Sequence, residues 1–262
     1  MTASGRWQDL AARMGSGAVM LGIGLAAVYA GGDVFHVFVA VICGVMIWEL
    51  VRMLAPDVPA VAWQLGGLAG VVVLVAIYLP PAFALPMLIA PALVGISQLP
   101  GNRTLYMVFT LLVLLAGFGM MSVRDDFGFV WMLWLASAVV VTDVAGYFAG
   151  RLMGGPKFWP RVSPKKTWSG TVAGWIAAGL VGLIFAWQTK AGFELVGISV
   201  AISMASQIGD IAESAVKRKM SVKDASDLIP GHGGLLDRFD GMLGASVFLL
   251  LTGRFIAFPP GL

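Results

Sequence analysis

Residues 104–121 read TLYMVFTLLVLLAGFGMM, an apolar stretch without a charged side chain. An α-helix rises about 1.5 Å per residue, so about 20 such residues cross the roughly 30 Å hydrocarbon core of a bilayer. Comparable stretches lie at 16–31, 34–52, 61–79, 82–98, 127–149, 170–188, 193–212 and 241–258. They are continuous rather than alternating with a period of two, so the sequence predicts membrane-spanning helices and excludes a barrel.

Composition excludes a soluble domain. Hydrophobic residues make up 59% of the 262 residues and charged residues only 12%, about half the charge of an average soluble protein. We therefore expect an all-α polytopic membrane protein of about nine transmembrane helices, forming one membrane-embedded unit. Residues 1–121 are predicted to form an N-terminal region of about five spans, and residues 122–262 a C-terminal region that carries both long loops.

The distribution of basic residues predicts the orientation. With nine spans, 14 of the 17 Lys and Arg residues fall on the side of the N-terminus, and such an excess marks the cytoplasmic side. Ten of these 14 lie in or beside the two long loops, 150–169 and 213–240, which dominate the bias. We expect a multi-pass protein of the inner cell membrane, with the N-terminus and both long loops in the cytoplasm.

Polar residues follow one face of the eighth predicted span. They are Ser199, Ser203, Ser206, Gln207, Asp210, Ser214 and Lys217. Steps of three and four place them together on a helix, which predicts a polar crevice that opens to the cytoplasmic side. A hydrogen-bonded seam between helices would explain the serines but not the charged residues. Asp143, in the sixth span, lies near the same side of the membrane.

The loop 213–240 is rich in bases, carboxylates and glycines. Asp237 and Asp240 are three residues apart and share a helical face, and with Asp210 they provide the hard oxygen ligands that suit Mg²⁺. Gly233 and Gly234 offer bare backbone N–H groups to phosphate oxygens. The combination is typical of a nucleoside triphosphate or pyrophosphate site. Attraction to anionic lipid would explain the basic residues alone.

The loop 150–169 ends in a second basic segment. Lys165 and Lys166 immediately precede the seventh span, where a helix N-terminus attracts anions. Ordinary cytoplasmic charge beside a helix cap is the alternative explanation. Next to the loop 213–240, a phosphate-binding role is favoured.

Residues 214–240 resemble the signature of the phosphatidate cytidylyltransferase (CDP-diacylglycerol synthase) family. The matching positions are Ser214, Lys217, Arg218, Lys223, Asp224, Pro230, His232, Gly233, Gly234, Asp237, Arg238 and Asp240. Segments 142–151, 163–168 and 207–214 are also similar to the family. One departure is Ser169, where the family usually has Glu; the role of that Glu is either missing here or met elsewhere, for example by Glu213.

The resemblance implies that CTP and phosphatidate react to give CDP-diacylglycerol and pyrophosphate. It also implies Mg²⁺, room for a second cation such as K⁺, a homodimer, and no nucleic-acid partner. As catalytic residues, the pattern and the resemblance together indicate Asp143, Asp210, Lys217, Arg218, Asp237 and Asp240. As substrate-binding residues they indicate Lys165, Lys166, Ser214, Lys223, Asp224, His232, Gly233, Gly234 and Arg238. As metal ligands they indicate Asp210, Asp237 and Asp240.

Several alternatives stay open from the sequence. His232 either donates to a phosphate or supports the glycine turn. A CTP-dependent enzyme acting on another lipid, such as an isoprenoid lipid kinase or an archaeal-lipid cytidylyltransferase, would share many of these features. An ion-coupled transporter would explain the intramembrane carboxylates, but its polar line should continue across the membrane. A non-catalytic lipid scaffold would explain neither set of carboxylates.

Overall fold

A computed structural model describes residues 3–253 and 255–261, with the side chains of residues 3–14 and of Pro81 left aside. Nine α-helices occur in this part of the chain: α1 Ala3–Ala30, α2 Gly32–Leu54, α3 Pro59–Ala76, α4 Pro81–Gln98, α5 Arg103–Phe127, α6 Phe129–Leu152, α7 Trp168–Gln188, α8 Glu194–Lys219 and α9 Leu236–Thr252. The prediction of a mainly helical protein is confirmed. Arg254 and the side chains of Arg6 and Arg13, which entered the count of bases, lie outside the described residues.

Among the described residues, six helices are long and apolar enough to cross a bilayer: α2, α3, α5, α6, α7 and α8. Their number makes this a multi-pass membrane protein. In α1 and α4 the apolar part is shorter, at Gly15–Ala30 and Ala82–Gln98. The total of about nine spans stays a prediction.

A small β-hairpin precedes α7, and the sequence did not predict it. Strand β1 covers Lys157–Trp159 and strand β2 covers Ser163–Thr167; they pair antiparallel, with Lys157 opposite Thr167. The strands are too short for their alternation to stand out from a loop. Thr167 then caps α7, since its Oγ1 accepts a hydrogen bond from the Gly170 N–H. The hairpin thus leads directly into the N-terminus of a membrane helix.

The chain divides into two compact units. The first contains residues 1–121 and 219–239, and the second contains residues 122–218 and 240–262. The glycine-rich segment that follows α8 therefore packs with the N-terminal helices, although the sequence analysis assigns it to the C-terminal region. The second unit contains the end of α5, all of α6, α7 and the hairpin, α8 up to Arg218, and α9 from Asp240 onward; the first four residues of α9 belong to the first unit.

Glycines let neighbouring helices approach closely in both units. In the first unit, a Cβ on Gly66 of α3 would lie 2.7 Å from the carbonyl oxygen of Gly44 of α2. In the second, a Cβ on Gly146 of α6 would lie 3.2 Å from the carbonyl oxygen of Gly170 of α7. Small residues at such positions permit backbone contact between membrane helices. These glycines therefore serve packing within the chain.

A matched pair of substitutions tests this packing. Gly66→Ala should lower the thermal stability of the detergent-solubilised protein, because the new methyl group meets a backbone oxygen; overpacking of this kind costs about 1–3 kcal/mol. Gly67→Ala is the control, since a Cβ on Gly67 has no neighbour within 4 Å. Equal melting temperatures for the two variants would contradict the packing.

Candidate functional site

Three carboxylates from three helices lie close together in the second unit. We name Asp143 of α6, Asp210 of α8 and Asp240 of α9 the carboxylate cluster. Asp240 interacts electrostatically with both of the others. Helices α8 and α9 can approach here because glycines face each other: a Cβ on Gly209 would lie 2.9 Å from the Gly244 backbone nitrogen. The structure therefore brings together three of the predicted site residues.

The β-hairpin directs one lysine at this cluster. Lys166 forms an ion pair with Asp210, and the side chains of both are about three-quarters buried, with exposures of 25% and 24%. Successive side chains on a strand point to opposite faces, and accordingly the neighbouring Lys165 is exposed. Ser214 also contacts Asp210, since its Oγ donates to the carboxylate Oδ1 at 3.3 Å. The two lysines, which the sequence treats alike, thus have different environments.

A second ion pair lies one turn further along α8. The Lys217 Nζ is 2.5 Å from the Glu213 Oε2, and the Glu213 side chain is only 1% exposed. The charge of Lys217 is therefore balanced within the protein. Arg218, the next residue, is exposed. The sequence analysis names Glu213 only as a candidate to replace the Glu missing at position 169, although its spacing of four residues from Lys217 is the signal for such a pair.

Two serines of α8, Ser199 and Ser203, have partners on α6. The Trp134 Nε1 donates to the Ser199 Oγ at 2.9 Å, and the Thr142 Oγ1 donates to the Ser203 Oγ at 2.8 Å. Both serines are fully buried. A hydrogen-bonded seam between helices is therefore the right interpretation of this part of the polar face. Only the part from Asp210 onward carries charge.

In the first unit, a buried glutamate holds the loop 223–238, which we call the glycine loop. Glu49 of α2 is fully buried. Its Oε1 accepts hydrogen bonds from the Ser226 Oγ at 2.6 Å and from the Leu235 N–H at 3.0 Å, and its Oε2 accepts one from the Leu236 N–H at 2.7 Å. Because α9 begins at Leu236, Glu49 caps that helix from a distant part of the sequence.

Asp237 shapes the tip of the glycine loop. Its Oδ2 accepts hydrogen bonds from the Ala225 N–H at 2.8 Å and the Gly234 N–H at 2.7 Å. Gly233 has a positive φ of 80°, and a Cβ there would lie 2.8 Å from the same carboxylate oxygen. The Gly234 N–H, which the sequence analysis assigns to a phosphate, therefore donates to Asp237 instead. Only glycine suits position 233.

His232, within the glycine loop, has two structural partners, one on α1 and one at the start of α9. Its Nδ1 lies 2.8 Å from the Ser16 Oγ of α1, and its carbonyl oxygen accepts a hydrogen bond from the Arg238 Nε at 2.9 Å. Of the two roles left open by the sequence, support of the turn is therefore the one with observed contacts. Lys223 and Asp224 face outward, with a 3.8 Å contact between their side chains.

Two of the three carboxylates predicted as metal ligands are placed in a way that suits Mg²⁺. Within the described residues, no group of three or more His, Cys, Asp or Glu side chains is placed to hold a metal ion. The predicted ligands Asp210 and Asp240 lie in the second unit, and Asp237 lies in the first. Mg²⁺ is commonly bound by one or two carboxylates, with water and substrate phosphates completing its shell. Asp210 and Asp240 fit that requirement.

Glu49 is the residue that the sequence analysis missed. Its signal was a lone carboxylate inside the apolar stretch 34–52. A charge there costs several kcal/mol unless it is paired or hydrogen-bonded, so it required a partner. The partners lie 177 to 187 residues away, and no local pattern reveals them.

Comparison with known proteins points to one family. A family model described as "Cytidylyltransferase family" matches residues 11–256. A phosphatidate cytidylyltransferase of Brucella suis is 45% identical over 151 residues, covering 55% of this chain and 56% of that protein. The same name is carried by relatives from Helicobacter pylori, 39% identical, and Bacillus subtilis, 37% identical, each over 128 residues and 48% of both chains. The chain thus spans about half the length of the curated relatives it matches.

The Glu49 contacts can be tested through the exposure of the glycine loop. In Glu49→Gln one carboxylate oxygen becomes an N–H donor that faces backbone N–H groups, at a cost of about 1–3 kcal/mol. Limited trypsin digestion should then cleave faster after Lys223. Asp57→Asn, an exposed position between α2 and α3, is the control. Unchanged cleavage in Glu49→Gln would show that the glutamate does not hold the loop.

Proposed function

The chain belongs to the cytidylyltransferase family, and on that premise we propose that it transfers CMP from CTP to phosphatidate, giving CDP-diacylglycerol and pyrophosphate. The names of the relatives favour phosphatidate over other lipid acceptors. The observation that carries the proposal is the ion pair between Lys166 and Asp210 beside Asp240. Carboxylates that could bind a cation here lie next to a basic side chain.

The chemistry of the step explains why such residues are needed. A phosphate oxygen of phosphatidate attacks the α-phosphorus of CTP, and the bond from that phosphorus to the bridging oxygen breaks. Pyrophosphate leaves with the electron pair. The attacking phosphate is largely ionised near neutral pH, so no general base is required. The main obstacle is repulsion between two anions, which fixed positive charge and alignment overcome.

Both units carry groups that suit this chemistry. In the second unit, Lys166 supplies positive charge beside the carboxylate cluster, and the exposed Arg218 is suited to bind a phosphate. Lys217 is balanced by Glu213 and so keeps the end of α8 in place. In the first unit, the exposed Lys223 and Arg238 lie at the two ends of the glycine loop and can contact phosphates. Asp237 and His232 maintain the shape of this loop.

We propose Asp210 and Asp240 as the carboxylates that hold Mg²⁺, with Asp143 nearby. When bound, Mg²⁺ would neutralise phosphate charge and polarise the phosphoryl oxygens. Asp237, the third ligand predicted from the sequence, already binds two backbone N–H groups through one oxygen. K⁺ as a second cation and a homodimeric assembly remain part of the proposal through the family resemblance.

The proposed location follows from the bases and helices. We place the protein in the inner cell membrane with nine spans, and with the hairpin and the glycine loop in the cytoplasm, where CTP is available. Phosphatidate would enter from the bilayer. A polar crevice at the cytoplasmic side is part of this arrangement.

A direct assay with a matched pair of variants tests the function. Purified protein in detergent, given radiolabelled CTP, phosphatidate and Mg²⁺, should form labelled lipid and pyrophosphate in equal amounts. Lys166→Met should lower kcat/KM for CTP by about 10- to 100-fold, the equivalent of losing a hydrogen bond to a charged group. Lys165→Met, on the outer face of the hairpin, should have little effect.

The assay also identifies failure. No labelled lipid from the wild-type protein with phosphatidate, but turnover of CTP with another lipid phosphate, would replace the proposed substrate. Activity that persists without a divalent cation would remove Mg²⁺ from the proposal. If Lys166→Met changed kcat/KM for CTP as little as Lys165→Met, the hairpin would not face the reacting groups.

The orientation has its own test. In a Cys43→Ser background, cysteines at positions 157 and 221 should resist a membrane-impermeant thiol reagent in intact cells and react once the cytoplasm is accessible. A cysteine at position 190, in the connection between α7 and α8, should show the opposite behaviour. External labelling at 157 or 221 would reverse the proposed topology.

A further inference from the structure

An apolar groove of about 430 Å³ runs along α2 and α3 in the first unit. Its walls carry only hydrophobic side chains and glycine, among them Val37, Trp48, Trp63, Gly67, Leu74 and Leu228. Both helices are long and apolar enough to span a bilayer. The groove is therefore an apolar surface groove on helices that face the membrane.

The groove has the length of one membrane leaflet. On α2 it extends from Val37 to Trp48, and on α3 from Trp63 to Leu74, about 17 Å on each helix at 1.5 Å per residue. The hydrocarbon core of a bilayer is about 30 Å thick, so one leaflet is about half of that. A single lipid acyl chain lying along the groove would match this length.

One end of the groove meets the glycine loop. Trp48 and Trp63 form an aromatic pair there, with ring centroids 5.1 Å apart, and tryptophan is enriched at membrane–water interfaces. Leu228 of the glycine loop lines the same end. Glu49, the residue after Trp48, holds that loop through three hydrogen bonds. The apolar groove and the loop that carries Lys223 and Arg238 are thus continuous.

The glycines argue for a lipid chain rather than a helix of a second copy. Gly44 and Gly66 already face each other within this chain, so their contact surface is used. Gly67 also lines the groove, and a Cβ there would have no neighbour within 4 Å. Gly67 is therefore an open position in the groove wall, against which a methylene chain can lie.

We propose that this groove holds one acyl chain of the lipid substrate and thereby positions its phosphate at the glycine loop. The inference rests on the proposed function and adds the part of the protein that receives the lipid. Lipid tails are as apolar as the groove, so burial there provides little net attraction within a membrane. The groove should act by fit and orientation, and its effect should depend on chain length.

Gly67→Leu tests the proposal because Gly67 lines the groove and a Cβ there has no neighbour within 4 Å, which leaves room for a larger side chain to enter the groove. The test compares kcat/KM for dipalmitoyl and dioctanoyl phosphatidate in mixed micelles at saturating CTP. Gly67→Leu should lower the ratio of long-chain to short-chain values by about tenfold, as expected when a shaped apolar pocket is obstructed. The KM for CTP should stay unchanged. Gly22→Leu, at an equally open glycine of α1 outside the groove, should leave the ratio unchanged.

A second measurement separates this inference from the proposed function. Phosphatidate with a diazirine in the middle of one chain should label peptides of α2 or α3 in the wild-type protein, and less in Gly67→Leu. Labelling without CDP-diacylglycerol formation would preserve the groove and reject the function. Turnover with an unchanged chain-length ratio, or an equal loss with both lipids, would overturn the groove. A shift from dimer to monomer in Gly67→Leu, with an equal loss for both lipids, would assign the groove to a second copy instead.

Discussion

The carboxylate of Glu49 is the contact on which the glycine loop depends. It is fully buried among apolar helices, yet three donors from residues 226–236 reach it. Burying an ionisable group in this way is costly unless such donors are present. The loop and the helix therefore stabilise each other: the loop supplies the hydrogen bonds that Glu49 needs, and Glu49 determines where α9 begins. Asp237 and Asp240 lie in the first two turns of that helix.

Two ion pairs in the second unit hold residues of α8. Lys166 neutralises Asp210 and Lys217 neutralises Glu213, while Asp240 and Asp143 add further negative charge nearby. A site with this excess of carboxylate attracts cations, and a bound divalent ion would in turn attract a polyphosphate. Under the proposed function, this arrangement would attract an anionic substrate through the bound cation, without a surplus of buried positive charge.

The sequence predicts the helical membrane fold well, because long apolar stretches have few alternatives in a bilayer. It places Asp143 and Asp210 near the same side of the membrane, and it groups Asp210 with Asp237 and Asp240 as metal ligands. The structure instead brings Asp240 and Asp143 together with Asp210, while Asp237 belongs to the first unit. It does not predict Glu49, whose donors lie in a distant loop, nor the β-hairpin, whose strands cover only Lys157–Trp159 and Ser163–Thr167. It assigns Gly234 to a phosphate, although Asp237 takes its N–H. Only the Glu49 contacts join segments far apart in the sequence; the hairpin is local but its strands are too short to recognise, and the Gly234–Asp237 hydrogen bond depends on the local shape of the turn.

The two adjacent lysines of β2 make the hairpin tolerant of errors in strand alignment. A slip of one residue turns every side chain of a strand to the opposite face. In most strands, the side chain that then points inward does not carry the same charge as the one it replaces. Here the inward position passes from Lys166 to Lys165, so an ammonium group would face Asp210 in either alignment. A change in the length of the turn between β1 and β2 could thus shift the strand while the charge beside the carboxylates is preserved.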